Sequence, residues 1–420
     1  MDVIPRYLTS TLESLPEKFQ SEDFITEGRH RSRLFTPRSL LLTLIQLVGS
    51  SAKEGYDHAL IKVFGFDKAP RKSALSLFRN QLSYKFFKAI FTQTMANFSR
   101  HRPKFNGLII YAVDGWQFTL PREESLVRAG FNGRATSKLR ESYMPKGFMT
   151  HAYEVLSETT KAFSINTSQT ELADALGFVD SFEKNSLTLY DRAYFSRALC
   201  LEHFKAGNYF LARCQSNANR KVSDFFDDSD QQAGGMYYNV NGELKKVWFI
   251  KIFHPKTNEA TVFATNLPRE WRTPKLFDQL YQLRWGVETS FYEFSETMKM
   301  QQWHSKSYNG VLQEIYTTML VTNLVKILSF FVRGQSHVDP CSEIYVKPNF
   351  KLLKNHFVEF ITSFKPNLAN LINRFQVLIK RSTEKRKRRS RNHPRELRGP
   401  ASPYPRNNTE WRWDKAHSLN

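Results

Sequence analysis

The sequence predicts an α/β protein in which a mixed sheet is preceded and followed by helices. Short apolar runs rich in β-branched residues occupy the middle of the chain, and two of them end in an aspartate, as buried strands with a polar tip do. Apolar residues recur at helical spacing on both sides of this region. We therefore expect a sheet interrupted by an antiparallel β segment, with a helical N-terminus and a helical, basic C-terminus.

Residues 1–106 are predicted to form a helical N-terminal domain. One helix is expected to start at Pro37, because proline is tolerated in the first helical turn. A second amphipathic stretch carries Arg71, Lys72 and Arg79 beside its apolar face. These three cations are candidates for DNA contact, although the solvated face of an ordinary amphipathic helix explains them as well.

Residues 107–214 are predicted to form the first part of the sheet. The runs GLIIYAVDGW (107–116) and NSLTLYDRAYF (185–195) are each strand-like up to an aspartate, Asp114 and Asp191. Taken singly, Asp114 could lie in a turn, and Asp191 could cap the next helix. Further strands are expected at 149–156, 161–166 and 209–214, with a helix across 168–182.

Residues 215–271 are predicted to form an antiparallel β insertion. Gly and Asn-Gly turn signals separate the alternating runs KKVWFIKIF and ATVFAT. The core is expected to resume at 272–335, with one helix from Pro274 to about Lys299 and apolar helices after it. Residues 336–420 are expected to form a helical segment and a basic tail.

The charge of the chain favours a polyanionic partner. Sixty-one Lys and Arg against 40 Asp and Glu give a formal charge of +21, and nucleic acid would relieve the resulting self-repulsion. Ten Lys and Arg but only two acids lie between Lys380 and Arg398, which is typical of a disordered arm that binds polyanions. Membrane-surface proteins are also basic, so charge alone does not decide the partner.

Cysteine usage and hydropathy exclude other classes. Cys200, Cys214 and Cys341 are scattered without a CxxC pair, so a Cys-based zinc site is excluded and no disulfide framework is indicated. The apolar stretch 39–49 is too short to span a membrane, and the one around Ile315–Val332 contains polar residues. We expect an intracellular protein with no membrane and no small-molecule substrate.

A third carboxylate lies on a helix with a cation and a phenol. Tyr281, Arg284 and Glu288 stand at i, i+3 and i+7 and therefore share one face. Arginine can hold a phosphate with two hydrogen bonds while a carboxylate holds a metal. A surface Arg–Glu pair is the common alternative, and such a pair contributes little to stability.

These motifs together resemble a known family. Asp114 in AVDGW, Asp191 in LYDRAY and the Y-xx-R-xxx-E pattern resemble the DDE transposases of the insertion-sequence-4 family, which have an RNase H-like catalytic core. The flanking FTPRSLLLTL, SALSLFRNQL and TNLP are similar to that family as well, in the expected order. The resemblance runs from about Phe35 to about Phe331 and also places a β insertion before the glutamate helix.

The resemblance implies an enzyme that cleaves DNA at the ends of a mobile element and joins those ends to target DNA. Asp114 would bridge two metal ions, while Asp191 and Glu288 would each hold one. An all-carboxylate site selects Mg²⁺, with Mn²⁺ as a substitute. Tyr281 and Arg284 would position the phosphate. Terminal inverted repeats and target DNA are the expected partners, with a homodimer on DNA and a cytoplasmic, nucleoid-associated location.

One departure from the family pattern concerns a lysine. The family has lysine seven residues after the glutamate, where this chain has Ser295. Lys299 would lie near the same face of an uninterrupted helix. Either Lys299 makes the DNA contact of the family lysine, or that contact is missing. Trp248 and Trp271 are candidates for stacking on a flipped base, although tryptophans are more often part of a core.

Two rival functions remain open at this point. One is a DNA-binding protein descended from a transposase and no longer catalytic, which the serine at position 295 favours. The other is an RNase H-like nuclease that cuts without joining, against which the basic helical N-terminus argues. Nicking without joining would indicate the nuclease, and binding without nicking would indicate the inactive relative.

Deleting residues 380–420 is expected to weaken binding to every DNA sequence. For each phosphate group that the shortened protein no longer neutralises, the slope of log K against log salt should fall by roughly 0.9. Binding titrations over a range of salt concentrations measure that slope, and a slope equal to that of the full chain would show that the tail does not bind DNA.

Overall fold

The structure is a computed structural model that describes most of the chain up to residue 385. The described residues are 24, 35–50, 55–131, 145–228, 232–253, 259–333, 344–346, 349–362, 367–381 and 383–385. Cys341 and the part of the predicted basic arm beyond residue 385 lie outside them. The arm is predicted to begin at Lys380, but Lys380 and Arg381 end the helix Leu368–Arg381, and Thr383–Lys385 form a short strand.

The described residues form strands in the middle of the chain and helices on both sides. The longer strands are β1 (Ile109–Thr119), β2 (Lys146–Glu154), β3 (Thr159–Asn166), β4 (Ser186–Tyr190), β5 (Tyr209–Arg213), β6 (Ala233–Val240), β7 (Glu243–Phe253) and β8 (Ala260–Thr265), and a short pair joins β9 (Ile344–Val346) to β10 (Thr383–Lys385). The helices are α1 (Pro37–Leu47), α2 (Gly55–Phe64), α3 (Lys72–Gln81), α4 (Tyr84–Phe98), α5 (Glu124–Arg128), α6 (Glu171–Val179), α7 (Arg197–Ala206), α8 (Arg220–Asp227), α9 (Pro274–Leu283), α10 (Trp285–Tyr292), α11 (Tyr308–Arg333), α12 (Phe350–Ile361) and α13 (Leu368–Arg381).

Eight strands form one mixed sheet in the order β3-β2-β1-β4-β5-β8-β7-β6. The first three strands are an antiparallel meander, after which β4 and β5 pair in parallel with β1 and with each other. The helices α6 and α7 make the connections into β4 and β5, as parallel pairing requires. The predicted fold class, an RNase H-like mixed sheet within an α/β protein, is confirmed.

The predicted antiparallel β insertion forms, and it extends the same sheet. Strand β8 pairs antiparallel with β5, so that Arg213 lies opposite Phe263, and β7 and β6 continue outward from β8. Without β8, strand β5 would present unpaired backbone groups at the edge of the sheet. The insertion therefore covers an edge of the core and does not form a separate sheet.

The helices from both ends of the chain share one core. Buried side chains of α1, α4, α12 and α13 pack around α11 in a single apolar cluster. Within the described residues α11 is long and apolar enough to cross a membrane, and 89% of its most apolar window is buried inside the protein. The prediction of a helix buried in protein is confirmed for this segment. The domain boundaries drawn from the sequence stay predictions.

Two predicted helices are interrupted. The amphipathic stretch after Arg71 divides into α3 and α4, because Ser83 caps a new helix there. The helix expected from Pro274 to about Lys299 has a turn at Arg284 between α9 and α10, and a π-helix, Glu293–Thr297, then ends it. Hydrophobic periodicity does not reveal such local changes of helical pitch.

A cluster of charged groups is buried where β1 begins. Arg102 donates to Tyr111 and forms an ion pair with Glu183 at 3.0 Å, and Lys161 joins the same carboxylate at 2.9 Å. Glu154, at the end of β2, is fully buried nearby. Burial raises the pKa of Glu154 to about 7 despite the opposing charge of Arg102. Folding therefore favours the protonated form of this carboxyl group.

Glu154→Gln is expected to stabilise the protein at alkaline pH. The folded-state pKa of Glu154 lies above its ordinary value of 4.5. Its contribution to stability is therefore complete below that value and is lost as pH rises through about 7. The free energy of unfolding should be similar for the two proteins at pH 5 and higher in the variant by about 3 kcal/mol at pH 8.

Urea unfolding at both pH values measures this difference, and Glu270→Gln, at an exposed position, serves as the control. A difference from wild type that does not change with pH would contradict the assignment.

Candidate active site

The register of β1 and β4 brings the first two predicted carboxylates together. The parallel pairing of these strands ends with Val113 opposite Tyr190. Asp114 and Asp191 are the next residue of each strand's sequence, so both leave the same edge of the parallel part of the sheet. Clefts of α/β sheets open at the carboxyl ends of the strands. The sequence-based expectation that these two aspartates share one edge agrees with this register.

Asp114 does not end its strand, in contrast to the expectation. Strand β1 continues to Thr119, paired with β2 alone. Gly115 is part of the strand and does not form a turn. A Cβ at this position would overlap the carboxyl group of Glu171 at the start of α6. A side chain at position 115 would therefore require the Glu171 carboxyl group to move away.

The helical face predicted for Tyr281, Arg284 and Glu288 contacts both aspartates. The Tyr281 hydroxyl donates to Asp191 Oδ1 at 3.0 Å. The Arg284 guanidinium donates from Nη1 to Asp114 Oδ2 at 3.1 Å and from Nη2 to Glu288 Oε1 at 2.8 Å. The five residues named by the sequence motifs therefore form two hydrogen-bonded groups, Tyr281 with Asp191 and Arg284 with Asp114 and Glu288. The Arg284 guanidinium lies 5.6 Å from the ring centre of Tyr281 and links the two groups into one network.

Arg284 is the buried centre of this network. Its side chain is 4% exposed, whereas those of Asp114 and Glu288 are 23% and 35% exposed. Its Nε has no hydrogen-bond partner among the described residues. Arg284 and Tyr281 are predicted to hold a phosphate, but here the Tyr281 hydroxyl and both terminal nitrogens of Arg284 bind carboxylates. A phosphate contact stays a prediction.

The two aspartates differ in acidity. Burial raises the pKa of Asp114 to about 6, and the nearby carboxylates Glu288 and Asp191 add to this against the Gly115 amide and the Arg284 charge. Burial also acts on Asp191, but the Arg192 amide, the Arg284 charge and the Tyr281 hydroxyl outweigh it and leave the pKa of Asp191 below its ordinary value. Asp191 is therefore ionised where Asp114 still holds part of its proton.

The donor chemistry of the site suits a hard divalent cation. Carboxylate oxygens are the ligands that Mg²⁺ and Mn²⁺ prefer. Such a cation would relieve the repulsion from Glu288 and Asp191 that adds to the effect of burial on the pKa of Asp114. No three Asp, Glu, His or Cys side chains of the described residues lie close enough together to hold one ion. The three carboxylates are kept apart because the Arg284 guanidinium lies between Asp114 and Glu288 and binds both.

Residues 146–324 match the sequence model of the family described as "Transposase DDE domain". The central part of this chain is similar to a transposase DDE domain. The matched range contains Asp191 and Glu288, and Asp114 precedes it. No curated protein matches the chain. Among solved structures, a chain of "Cryo-EM structure of piggyBac transposase synaptic complex with hairpin DNA" is similar with a TM-score of 0.47 and 12% identity, over 90% of this chain and 83% of that one.

Three cations of the N-terminal region, Arg71, Lys72 and Arg79, are predicted to contact DNA, and the prediction is wrong for Arg79. Arg79 is 3% exposed and pairs with Glu314 at 2.7 Å inside the helical core. It therefore stabilises the packing of α3 on α11 and is not available to DNA. Arg71 is exposed at the start of α3. The ammonium group of the exposed Lys72 lies 4.2 Å from the ring centre of Tyr56, and DNA contact stays a prediction for both.

The argument that placed Lys299 on the face of Glu288 is wrong. The π-helix changes the phase, and Lys299 follows the helix with a φ of 49°. It lines a small cavity beside Leu44 of α1. Ser295 lies within the π-helix and accepts a hydrogen bond from Gln301 at 3.4 Å. Whether Lys299 contacts DNA stays a prediction.

The two candidate base-stacking tryptophans are both half-buried. The Lys246 ammonium lies 3.5 Å from the centre of a Trp248 ring, and the Arg272 guanidinium lies 4.0 Å from it. A base stacking on Trp248 would compete with these cations. Trp271 packs edge-on against Phe105 at 6.3 Å, as a residue of the core does.

Sequence reasoning missed a basic cleft beside Asp191. Arg192 and Arg213 line a cavity of about 490 Å³ together with Gln215 and Asn217. The positive charge of Arg213 helps to lower the pKa of Asp191. Arg192 stands directly after Asp191 in LYDRAY, and Arg213, the last residue of β5, is the residue before the end of the predicted strand 209–214. Their positions at strand ends were therefore the signal that could have identified them.

Arg284→Met is expected to destabilise the metal-free protein by about 3–5 kcal/mol at pH 8, because it leaves two carboxylates without their buried partner. The loss should be smaller at pH 5. Asp114, whose folded-state pKa of about 6 is above its ordinary value of 3.8, takes up a proton there and relieves the repulsion.

Chemical unfolding at both pH values checks this prediction. Arg128→Met is the matched control, because the ion pair of Arg128 with Glu124 has side chains that are 76% and 73% exposed and should contribute at most about 1 kcal/mol. An equal effect of the two substitutions would refute the central role of Arg284.

Proposed function

We propose that this protein is a DDE transposase that cleaves DNA at the ends of a mobile element and joins those ends to target DNA. The observation that carries the proposal is the network in which Arg284 and Tyr281 connect Asp114, Asp191 and Glu288 at one edge of the sheet. The match of residues 146–324 to the transposase DDE domain supports it independently. The resemblance of the motifs to the insertion-sequence-4 family makes an insertion-sequence element the favoured source.

Asp114, Asp191 and Glu288 are the residues that would hold divalent metal ions. Two Mg²⁺ or Mn²⁺ ions would supply Lewis-acid stabilisation of the charge that develops on the phosphodiester oxygens. Asp191, with its lowered pKa, would enter this role already ionised, whereas Asp114 would release a proton near its pKa of about 6. Metal affinity should therefore rise with pH through that value.

The cations of the chain would position the DNA. The Nε of Arg284 is a buried donor without a partner among the described residues, and a phosphate oxygen is the acceptor that a guanidinium prefers. Arg192 and Arg213 line the cleft on the Asp191 side and would hold the neighbouring backbone phosphate. Contacts of this kind fix the register of the DNA and carry no sequence information.

Attraction of DNA to the protein would fall to surfaces outside this edge. The exposed Arg71 and Lys72, together with the basic C-terminal arm, supply charge for sequence-independent attraction. Pairing two element ends requires two active centres, so we propose a homodimer on DNA, acting at the nucleoid in the cytoplasm.

The substitutions Asp114→Asn, Asp191→Asn and Glu288→Gln should each abolish cleavage and leave DNA binding intact, because each removes one metal-ligating charge with little change in shape. The substrate is a labelled DNA that carries the inverted repeats flanking the gene, incubated with Mg²⁺ or Mn²⁺. Loss of at least about 10³-fold in cleavage rate is expected, which corresponds to about 4 kcal/mol of transition-state stabilisation.

Asp180→Asn is the matched control, since Asp180 is exposed at the end of α6. Retained cleavage in one of the three variants would remove that residue from the active site. Tight binding of the repeats by wild-type protein without nicking would replace this proposal by a non-catalytic DNA-binding protein. Nicking without joining would indicate a nuclease.

A further inference from the structure

A buried histidine of β2 contacts the helix that carries Glu288. His151 lies directly opposite Asp114 in the antiparallel pairing of β1 with β2, and side chains at opposite positions project from the same face of a sheet. Arg284, at the N-cap of α10, binds Asp114 on that face. The Ser290 hydroxyl of α10 lies 3.3 Å from His151 Nδ1. Two neighbouring strands therefore each hold the α10 segment through one polar side chain.

Both nitrogens of the His151 ring take part in hydrogen bonds. Burial lowers the pKa of His151 to about 3, and a neutral imidazole has one donor nitrogen and one acceptor nitrogen. Ser290 donates its hydroxyl proton to the carbonyl of Val287 at 2.6 Å, so its oxygen accepts from His151 Nδ1. The Thr160 hydroxyl, 2.9 Å from His151 Nε2, is then the donor to that nitrogen.

This line of hydrogen bonds continues into the helical core. Asn323 of α11 accepts from the Thr160 amide and donates to the Thr160 carbonyl, both at 2.9 Å. Every side chain in the line from Asn323 to Ser290 is buried. A buried polar group that loses its partner destabilises a protein. The line therefore resists displacement of α10 relative to β2 and α11.

His151 binds the side of α10 that faces away from the carboxylate. Ser290 stands two residues after Glu288, which is about 200° around an α-helix. Ser290 is buried against the sheet, whereas the Glu288 side chain is 35% exposed. Apolar packing is non-directional and leaves a helix some freedom to rotate about its axis. A hydrogen bond on the inner face restricts that rotation, because its strength falls steeply with angle.

We propose that His151 is a positioning residue of the active centre, which fixes the rotation of α10 and thereby the place of Glu288 relative to Asp114 and Asp191. A metal-binding constellation tolerates only small displacements of its ligands, so a rotation of α10 would weaken the hold of the three carboxylates on divalent metal ions. This inference rests on the proposed function, because it concerns the same three carboxylates.

The test measures Mn²⁺ binding by metal-free, full-length His151→Phe in the absence of DNA, by electron paramagnetic resonance of the free ion. Phenylalanine keeps an aromatic ring and removes both hydrogen bonds. The affinity for Mn²⁺ should fall by about 10-fold relative to wild type, as when a group that orients a metal ligand is altered. The Mn²⁺ concentration that half-saturates DNA cleavage should rise by the same factor, while the affinity for DNA stays at the wild-type value.

Gln313→Leu is the control for a general loss of stability. Gln313 of α11 is fully buried and donates to the carbonyls of Arg79 and Leu82 at 2.8 and 2.7 Å, within the helical core. Its substitution should destabilise the protein in urea unfolding and leave the affinity of the folded protein for Mn²⁺ unchanged. A merely structural histidine at position 151 would give the same result as this control.

Ser290→Ala tests the same contact with a smaller change, and it serves if His151→Phe does not fold. It should also lower the affinity for Mn²⁺. The double variant should bind Mn²⁺ no more weakly than the weaker single variant, because both substitutions break one contact. His151→Asn, whose amide nitrogen can replace Nδ1 as a donor to Ser290, should restore most of the affinity that His151→Phe loses.

Wild-type affinity for Mn²⁺ in His151→Phe or Ser290→Ala would overturn the inference. So would an equal loss of affinity in Gln313→Leu, or losses that add in the double variant. The proposed function fails differently, through the absence of DNA cleavage by wild-type protein. Cleavage by wild-type protein together with unchanged Mn²⁺ affinity in these variants would keep the transposase and remove only the positioning role of His151.

Discussion

The buried guanidinium of Arg284 is the interaction on which the arrangement of the site depends. It binds Asp114 of strand β1, near the centre of the sheet, and Glu288 of helix α10. Breaking a buried ion pair leaves an uncompensated charge, whereas replacing the whole pair by apolar groups often costs little. The network therefore contributes position more than net stability. It holds α10 against one edge of the sheet. The charge of Arg284 lowers the pKa of both aspartates, and at Asp114 burial outweighs it.

A second buried cation, Lys326, binds the π-helix that continues α10 at its C-terminal end. Lys326 of α11 is paired with Glu158 at 2.7 Å and with Glu293 of the π-helix at 2.9 Å. Asn323, one turn earlier, donates to the carbonyl of Thr160 and accepts from its amide, both at 2.9 Å. These contacts join α11 to β3 and to the helix after Glu288. A helix fixed at both ends keeps its carboxylate within a narrow range of positions, which metal-dependent chemistry requires.

The strands were the most predictable part of the fold. Runs such as LTLY and YFLAR are apolar over most of their length because both faces of a parallel strand are covered, so a few adjacent residues identify them. Their partners are not identified in this way. The sequences of the antiparallel runs after residue 215 fit a separate sheet as well as an extension of an existing one. The pairing of β8 with β5 shows that they extend the existing sheet. Arg79 shows the same limit, because its spacing on an amphipathic helix does not reveal that Glu314 lies opposite it on a distant helix.

The sequence by itself determined which residues carry the candidate chemistry. An aspartate after an apolar strand and a glutamate on a helix with Tyr281 and Arg284 are local patterns, set by the alternation and pitch of the chain. Only the tertiary structure decided what those residues touch. Arg284 bonds to carboxylates, and Glu171 of α6 approaches Gly115 of β1, because both contacts depend on the packing of elements that are far apart in the chain and leave no periodic trace in it. Lys299 leaves the helix face because a π-helix ends the helix before it.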